Sequence, residues 1–294
     1  MTLGNTETPA SVPSYILEDY KGDLPHPSPK LSKNIFENFS LKGKVAVITG
    51  GSRGIGYAVA DAYAQAGADV VIIGHTPKVI EDATNQLKSN YKDSKIASYA
   101  VEVSDPKAVD DVVKQIEKEF GTIDILVGNA GIIWTDGGIL TVEKEEGVAK
   151  WQKLLDVNLS ANYYFAQSVG EIFKKHRKGS FIVTASMSGH IANVPNYQTP
   201  YNTTKAALRH FASSLAVEWA PIGARVNSIS PGYIDSGISD VLDQRILKKW
   251  LTLIPFGRQG LPEELVGAYL YLASDASTYT TGSDIRIDGG YTSV

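Results

Sequence analysis

The stretch QTPYNTTKAAL, residues 198–208, sets Tyr201 and Lys205 four positions apart, directly after Pro200. A free phenol titrates near pH ~10, too high for useful proton transfer at neutrality. An ammonium one helical turn away and the positive end of the helix would both favour the phenolate and bring that value down. A tyrosine tuned in this way could hand a proton to a carbonyl oxygen and take it back in the reverse reaction. The local sequence predicts the helix that holds the pair. Thr199 serves as N-cap, Pro200 as first helical residue, and Leu208, Phe211, Leu215 and Trp219 form the apolar stripe that seats it. Lys205 then projects from the same face as Tyr201. A solvated helix face has the same spacing, so the pair alone does not decide.

The elements upstream narrow the choice. From Lys44 onward, short β-branched runs at 44–49, 69–73, 124–127, 181–184 and 225–229, with a weaker one at 95–101, alternate with helical patterns. GIGYAVADAYAQAG places Ile55, Val59, Ala62 and Ala66 on one face and ends in Gly67, suited to the residue after a helix. SDPKAVDDVVKQIEKEFG opens with a Ser/Asp cap and Pro106, and carries Val109, Val112, Val113, Ile116 and Phe120. Alternation of this kind predicts an α/β fold, a single Rossmann-type doubly wound parallel sheet with helices on both faces. Residues 1–42, rich in Pro, Ser and Asn, read as an N-terminal extension, extended or partly disordered, ahead of one catalytic domain over 43–294.

The first strand runs into TGGSRGIG, residues 49–56. Gly50 permits a turn that a side chain would block, Gly54 lets backbone approach a pyrophosphate, and Gly56 lets the helix pack tightly on the sheet. This turn lies between a strand and an amphipathic helix in the first βα unit, which is the context a dinucleotide site requires. At the end of the second strand, where NAD-selecting sites place a carboxylate for the ribose 2′-hydroxyl, IIGHTPK has Gly74. Without that acid, and with Arg53 in the loop and His75, Thr76 and Lys78 nearby, the expected cofactor is NADP(H), whose 2′-phosphate carries about two negative charges.

With these residues in place the chain resembles the short-chain dehydrogenases/reductases over about residues 40–294. The motifs stand in that family's order: TGGSRGIG, GNAG at 128–131, VNLS at 157–160, TASMSG at 184–189, YNTTK at 201–205 and SPGYIDS at 230–236. The resemblance implies a catalytic tetrad of Asn158, Ser186, Tyr201 and Lys205. Ser186 would steady the developing alkoxide, Lys205 would hold the nicotinamide ribose, and Asn158 would position a relay water. It also implies cofactor contacts from Gly50, Ser52, Arg53, Gly54, Ile55, Gly56, His75, Glu102, Val103, Asn129, Ala130, Gly131, Tyr201, Lys205, Pro231, Gly232, Ile234 and Ser236.

Three features depart from the family pattern. GNAG replaces the commoner NNAG, which is expected to change a sheet contact rather than the chemistry. Glu102 stands in place of an aspartate beside the adenine. Ser186 precedes Tyr201 by 15 residues, more than the family separation, so that Ser188 fits the count and Ser186 the S-x-x-G context. The longer loop that results should lie beside the substrate. Within the family, the N-terminal arm, residues 186–208 and the ending TGSDIRIDGGYT are most similar to fungal polyol and ketose enzymes, the mannitol dehydrogenases, sorbose reductases and carbonyl reductases. That likeness implies a cytoplasmic, NADPH-dependent, reversible reductase of ketones or ketoses. It also implies a homotetramer built through helices around 151–176 and 200–220 and the C-terminal strand region. The segment 237–256, with Ile238, Val241, Leu242, Trp250 and Leu253, would form the substrate lid. Trp134, Thr135, His190, Asn193 and Tyr197 would either line the pocket or pack on the surface.

Composition excludes other classes. A net charge of −4 argues against nucleic acid or an anionic membrane as main partner. There is no cysteine, and the five histidines are scattered, which leaves no thiolate or HExxH metal site. The N-terminus has neither a basic start nor an apolar core of the secretory kind. Two competing readings stay open: a ketoacyl or steroid reductase, which would share every catalytic residue, and a non-catalytic NADP-binding sensor, which would be expected to lack the tyrosine or the lysine.

Overall fold

The structure, a computed structural model, describes residues 28–236 and 244–294. The chain divides into two units, Met1–Leu31 and Ser32–Val294. Of the first, only Ser28–Leu31 are described, and they are exposed and irregular; of the extension expected over residues 1–42, residues 1–27 lie outside the described residues. In the second, the stretch before the first strand contains a 3-10 turn, Ile35–Phe39, capped by the Asn34 side chain, and Leu41 is fully buried.

Among the described residues of that second unit, seven strands form one parallel sheet in the order β3-β2-β1-β4-β5-β6-β7. They are β1 (Val45–Thr49), β2 (Asp69–Gly74), β3 (Ile96–Ala100), β4 (Ile125–Gly128), β5 (Gly179–Thr184), β6 (Ala224–Pro231) and β7 (Asp284–Ile287). Every residue of β1 and β4 is buried, as a sheet covered on both faces requires. Alternate side chains serve opposite layers: Val47 joins one cluster with Val109, Phe165 and Leu208, while Ala46 and Ile48 join another with Val59, Tyr63 and Tyr269. The first layer holds α3 (Pro106–Phe120), α5 (Ala161–His176) and α6 (Thr199–Trp219); the second holds α1 (Gly54–Gln65), α2 (Pro77–Asn90) and α8 (Val266–Ala273). Strand order reverses between β1 and β4, and their carboxyl ends open the crevice where such sheets take ligands.

Local expectations hold in α3 and fail at two other helix positions. Asp105 caps α3 by accepting from the N–H groups of Lys107 and Ala108, Pro106 begins it, and Gly121 ends it in the left-handed region. In α1 the buried face is Gly56, Ala58, Val59, Ala60, Tyr63 and Ala64; Ile55 and Ala66 pack partly buried against the same core cluster, and Ala62 alone of the expected face was misplaced. The helix is apolar nearly all round, and packing against both the sheet and α8 chose the face. Gln198, rather than Thr199, is the residue before α6 and caps nothing with its side chain. Thr199 is already helical, with Pro200 behind it.

Candidate active site

The glycine loop joins β1 to α1. Gly50 and Gly54 have φ of +64° and +53°, the region that excludes most side chains. A Cβ on Gly56 would stand 2.2 Å from the Gly50 carbonyl oxygen and 2.6 Å from Asn129 Nδ2, so only glycine lets α1 close on this turn. Helix α1 begins at Gly54 with Arg53 as a cap residue whose side chain makes no capping bond; its first N–H groups keep their positive end for a phosphate. Across the crevice, Asn129 Nδ2 donates to the carbonyls of Thr49 (3.1 Å) and Gly50 (3.3 Å). The N–H groups of Asn129 and Ala130 donate to Thr49 Oγ1. These bonds fasten the ends of β1 and β4 together.

At the rim, a Cβ on Gly74 would meet Ile80 Cγ1 at 3.0 Å and Ser52 Oγ at 3.4 Å, so no acid is accommodated there without movement. Arg53 and His75 are exposed. His75 faces Glu102 at 3.6 Å, and Glu102 also accepts from the Ser104 hydroxyl and N–H, which holds its carboxyl below the usual range. Val103 is buried in the core. The segment Pro231–Ser236 returns over the loop: a Cβ on Gly54 would lie 3.1 Å from that of Ser236, and a Cβ on Gly232 only 2.6 Å from Asp288 Cα. Ile234 bridges to Gly260. Ile55 is half-buried beside this segment in the same apolar layer. These residues fit a dinucleotide: an uncapped helix end for its phosphates, a side-chain-free floor, and a rim that bears the exposed Arg53 and no acid at Gly74.

The four residues expected to form the tetrad gather at the ends of β4 and β5. Lys205, 4% exposed on α6, donates from Nζ to the Thr184 carbonyl at 2.8 Å. Its Nζ stands 5.6 Å from the centre of the Tyr201 ring. Ser186 follows β5, is buried, and accepts the Ser188 N–H at 3.1 Å; its hydroxyl reaches the Tyr201 phenol. Ser188 instead accepts from Gln198 Nε2 at 3.2 Å, which leaves Ser186 as the serine beside the phenol. Asn158 is fully buried in a π-helical turn, Asp156–Ser160, and pairs with the Ile132 backbone through both side-chain atoms (2.8 and 3.0 Å). A Cβ on Gly131 would come within 3.3 Å of Asn158 Oδ1 and 3.8 Å of Lys205 Nζ, so the missing side chain keeps a gap between them.

One expectation is reversed. The Tyr201 phenol is held above its usual value because burial outweighs the hydrogen bond from Ser186. Burial also brings the Lys205 ammonium down to about 8. The lysine is turned toward the Thr184 carbonyl, and the low-polarity site disfavours both charged forms.

The surrounding loops divide. Asn193 is buried and donates to the Tyr233 hydroxyl at 3.3 Å. Tyr233 stacks on Trp250 with centroids 3.9 Å apart, so α7 (Gln244–Leu253) is held at the site through Trp250. Trp134 closes its own loop by donating to the Gly137 carbonyl, while Thr135 and Tyr197 are exposed. His190 points away from the site, donating from Nε2 to Asp284 on β7 at 2.8 Å. Ile238, Val241 and Leu242 lie outside the described residues. The sequence reading missed Thr184, Tyr233 and Gln198. Tyr233 stood inside the quoted SPGYIDS motif and could have been singled out, whereas nothing local marks Gln198, whose amide also reaches Asn193 and Asn202.

A parallel doubly wound sheet with a glycine cradle at its reversal point and a Ser–Tyr–Lys group beside it defines a nucleotide-dependent oxidoreductase. A family model described as enoyl-(acyl carrier protein) reductase matches residues 50–292, and the chain belongs to the short-chain dehydrogenase/reductase family. It is 55% identical to the sorbose reductase of Candida albicans over 92% of its own length and 95% of the relative's. It is 53% identical to a probable NADP-dependent mannitol dehydrogenase of Yarrowia lipolytica, over 91% of this chain and 94% of that one. Among solved structures, the NADPH-dependent 3-quinuclidinone reductase from Rhodotorula rubra superposes with a TM-score of 0.86 at 41% identity, covering 93% of this chain and 100% of that one.

Proposed function

We propose that this chain is an NADPH-dependent reductase of ketones and ketoses, running reversibly between the ketose and its polyol. The observation that carries the reading is the convergence of Ser186, Tyr201, Lys205 and Asn158 beside a glycine cradle whose rim lacks a carboxylate at Gly74. Similarity to a sorbose reductase and a mannitol dehydrogenase supports the substrate class.

The loop Gly50–Gly56, with Ser52 and Ile55, would hold the pyrophosphate, Arg53 and His75 the 2′-phosphate, and Asn129–Gly131 with Pro231–Ser236 the remainder. NADPH, when bound, supplies the hydrogen and electron pair that the carbonyl carbon receives. Burial keeps Tyr201 protonated at neutral pH, the form that reduction needs, so the phenol donates its proton to the carbonyl oxygen. Ser186 donates a hydrogen bond to the same oxygen as it gains charge. Lys205, poised at about 8, returns a proton to Tyr201, and Asn158 keeps the gap beside Gly131 open to the relay.

NADPH consumption measured against L-sorbose, fructose, ribulose and a set of aryl ketones tests the reading. Tyr201→Phe should lower kcat by about two orders of magnitude or more, and a variant as fast as the natural enzyme would end it. Tight NADPH binding with no turnover on any ketone would favour the sensor instead. No helix among the described residues is long and apolar enough to cross a membrane, which fits the cytoplasmic location we assign. We extend the reading to a homotetramer built through the end of α4 (Lys144–Leu155) and α5, where Tyr163 is exposed, together with α6 and the C-terminal strand region. Sedimentation at monomer mass would refute it.

A further inference from the structure

The departure at Gly128 and an amide buried behind Asn158 belong together. Asn162, on the first turn of α5, is 4% exposed. Its Nδ2 donates to the Asn158 main-chain carbonyl at 2.9 Å, within the π-helical turn where the Ala161 N–H reaches back five residues to Asp156. Its Oδ1 is buried without a hydrogen-bond partner among the described residues. A Cβ on Gly128 would stand 2.0 Å from that oxygen, so the amide occupies the space a side chain at 128 would fill.

A buried acceptor left unpaired is unfavourable, and an apolar residue of the same shape would avoid it. The amide is therefore retained for its donating half, which touches Asn158 alone. Asn158 in turn ties the loop after β4 to α6: its Nδ2 also donates to Thr204 Oγ1 at 3.3 Å, and Thr204 donates to the Tyr201 carbonyl at 2.8 Å.

We propose that Asn162 is a positioning residue for the proton relay. Its amide fixes the π-helical turn, and with it the aim of Asn158, in the space that Gly128 leaves open. The inference rests on the reductase reading given above.

The test is Asn162→Leu, which keeps the side chain's branching and removes both polar atoms. The structure predicts a melting temperature equal to or above that of the natural enzyme, NADPH affinity and ketose KM within about two-fold, and kcat lower by roughly ten- to a hundred-fold, the scale of a small misplacement at a reacting centre. A role in packing alone predicts the opposite pairing, with kcat unchanged. Asn162→Asp, which keeps the size and loses the donor, should lose kcat in the same way and serves where the leucine variant fails to fold. Gly128→Ala should also lower kcat, and the Gly128→Ala/Asn162→Leu double variant should fall short of the product of the single effects, since both act on one contact. Full kcat in either Asn162 variant overturns the proposal. Absence of ketose reduction by the natural enzyme would instead sink the reductase reading, so the two failures are distinguishable.

Discussion

Replacing Lys205 with methionine should make the protein more stable and inactive. The lysine is charged in a place that disfavours charge, and its ammonium falls from 10.5 to about 8. At about 1.4 kcal/mol per pH unit, holding that charge costs about 3 kcal/mol of folding stability. Below pH ~8 both folded and unfolded chains carry the proton and the cost is felt in full. Between pH ~8 and ~10.5 the unfolded chain binds more protons than the native one, so raising the pH stabilises the fold; above that range the cost is gone. Methionine keeps the length and removes the charge, but gives up the 2.8 Å bond to the Thr184 carbonyl, worth about 1 kcal/mol. The net expectation at pH 7 is a gain of about 2 kcal/mol, or about 3 °C in Tm for a chain of this size. Thermal unfolding of both proteins without cofactor, at steps from pH 6.5 to 10.5, is the assay. The advantage of the variant should shrink by about 3 kcal/mol across that range, because the natural protein gains stability and the variant has no such group to titrate. A variant less stable at pH 7, or a gap that ignores pH, would refute the argument that burial dominates at this lysine.

Other outcomes follow from the same geometry. The kcat/KM for reduction should fall as pH rises through about 8, as Lys205 loses the proton it passes on, read from a pH–rate profile. Gly56→Ala should cost about 1–3 kcal/mol in denaturant unfolding, because its Cβ has no room beside Gly50, and should weaken NADPH binding in a fluorescence titration. Arg53→Ala should raise KM for NADPH about ten-fold and leave that for NADH unchanged, the loss of one charge-assisted contact. Asp284→Ala removes the acceptor shared by Ser228, Ser230 and His190. It should lower stability by about 3 kcal/mol in chemical denaturation.

Much of the fold was legible because the central strands β1, β2 and β4 are largely apolar and helices such as α3 amphipathic, so period and length separated them. Helix α3 shows this best: its cap, its first proline and four of its five apolar positions could be read locally and are buried as expected. Helix α1 could not be oriented, since alanines on every side give no stripe to read. The C-terminal strand region was reached only through the family resemblance: β7 is half-buried, so no apolar run marks it, and its Asp284 bonds to Ser228 and Ser230 of β6, more than 50 residues away. The site's membership was readable from motif order, its electrostatics less so. Spacing put a cation beside a phenol, but burial, a property of the assembled fold, set the direction in which each titrates. His190 likewise was open by position between pocket and surface, and the fold sets it against Asp284 at the sheet edge.

The crowded end of the second strand bears on redesign. Anyone seeking to convert this enzyme to the cheaper, unphosphorylated nicotinamide cofactor would first think of planting an acid at Gly74. Ile80 crowds that spot from the following helix, at 3.0 Å from where the new Cβ would go. The exchange therefore requires Ile80 to give way by a few tenths of an ångström, or to be trimmed as the carboxylate is introduced.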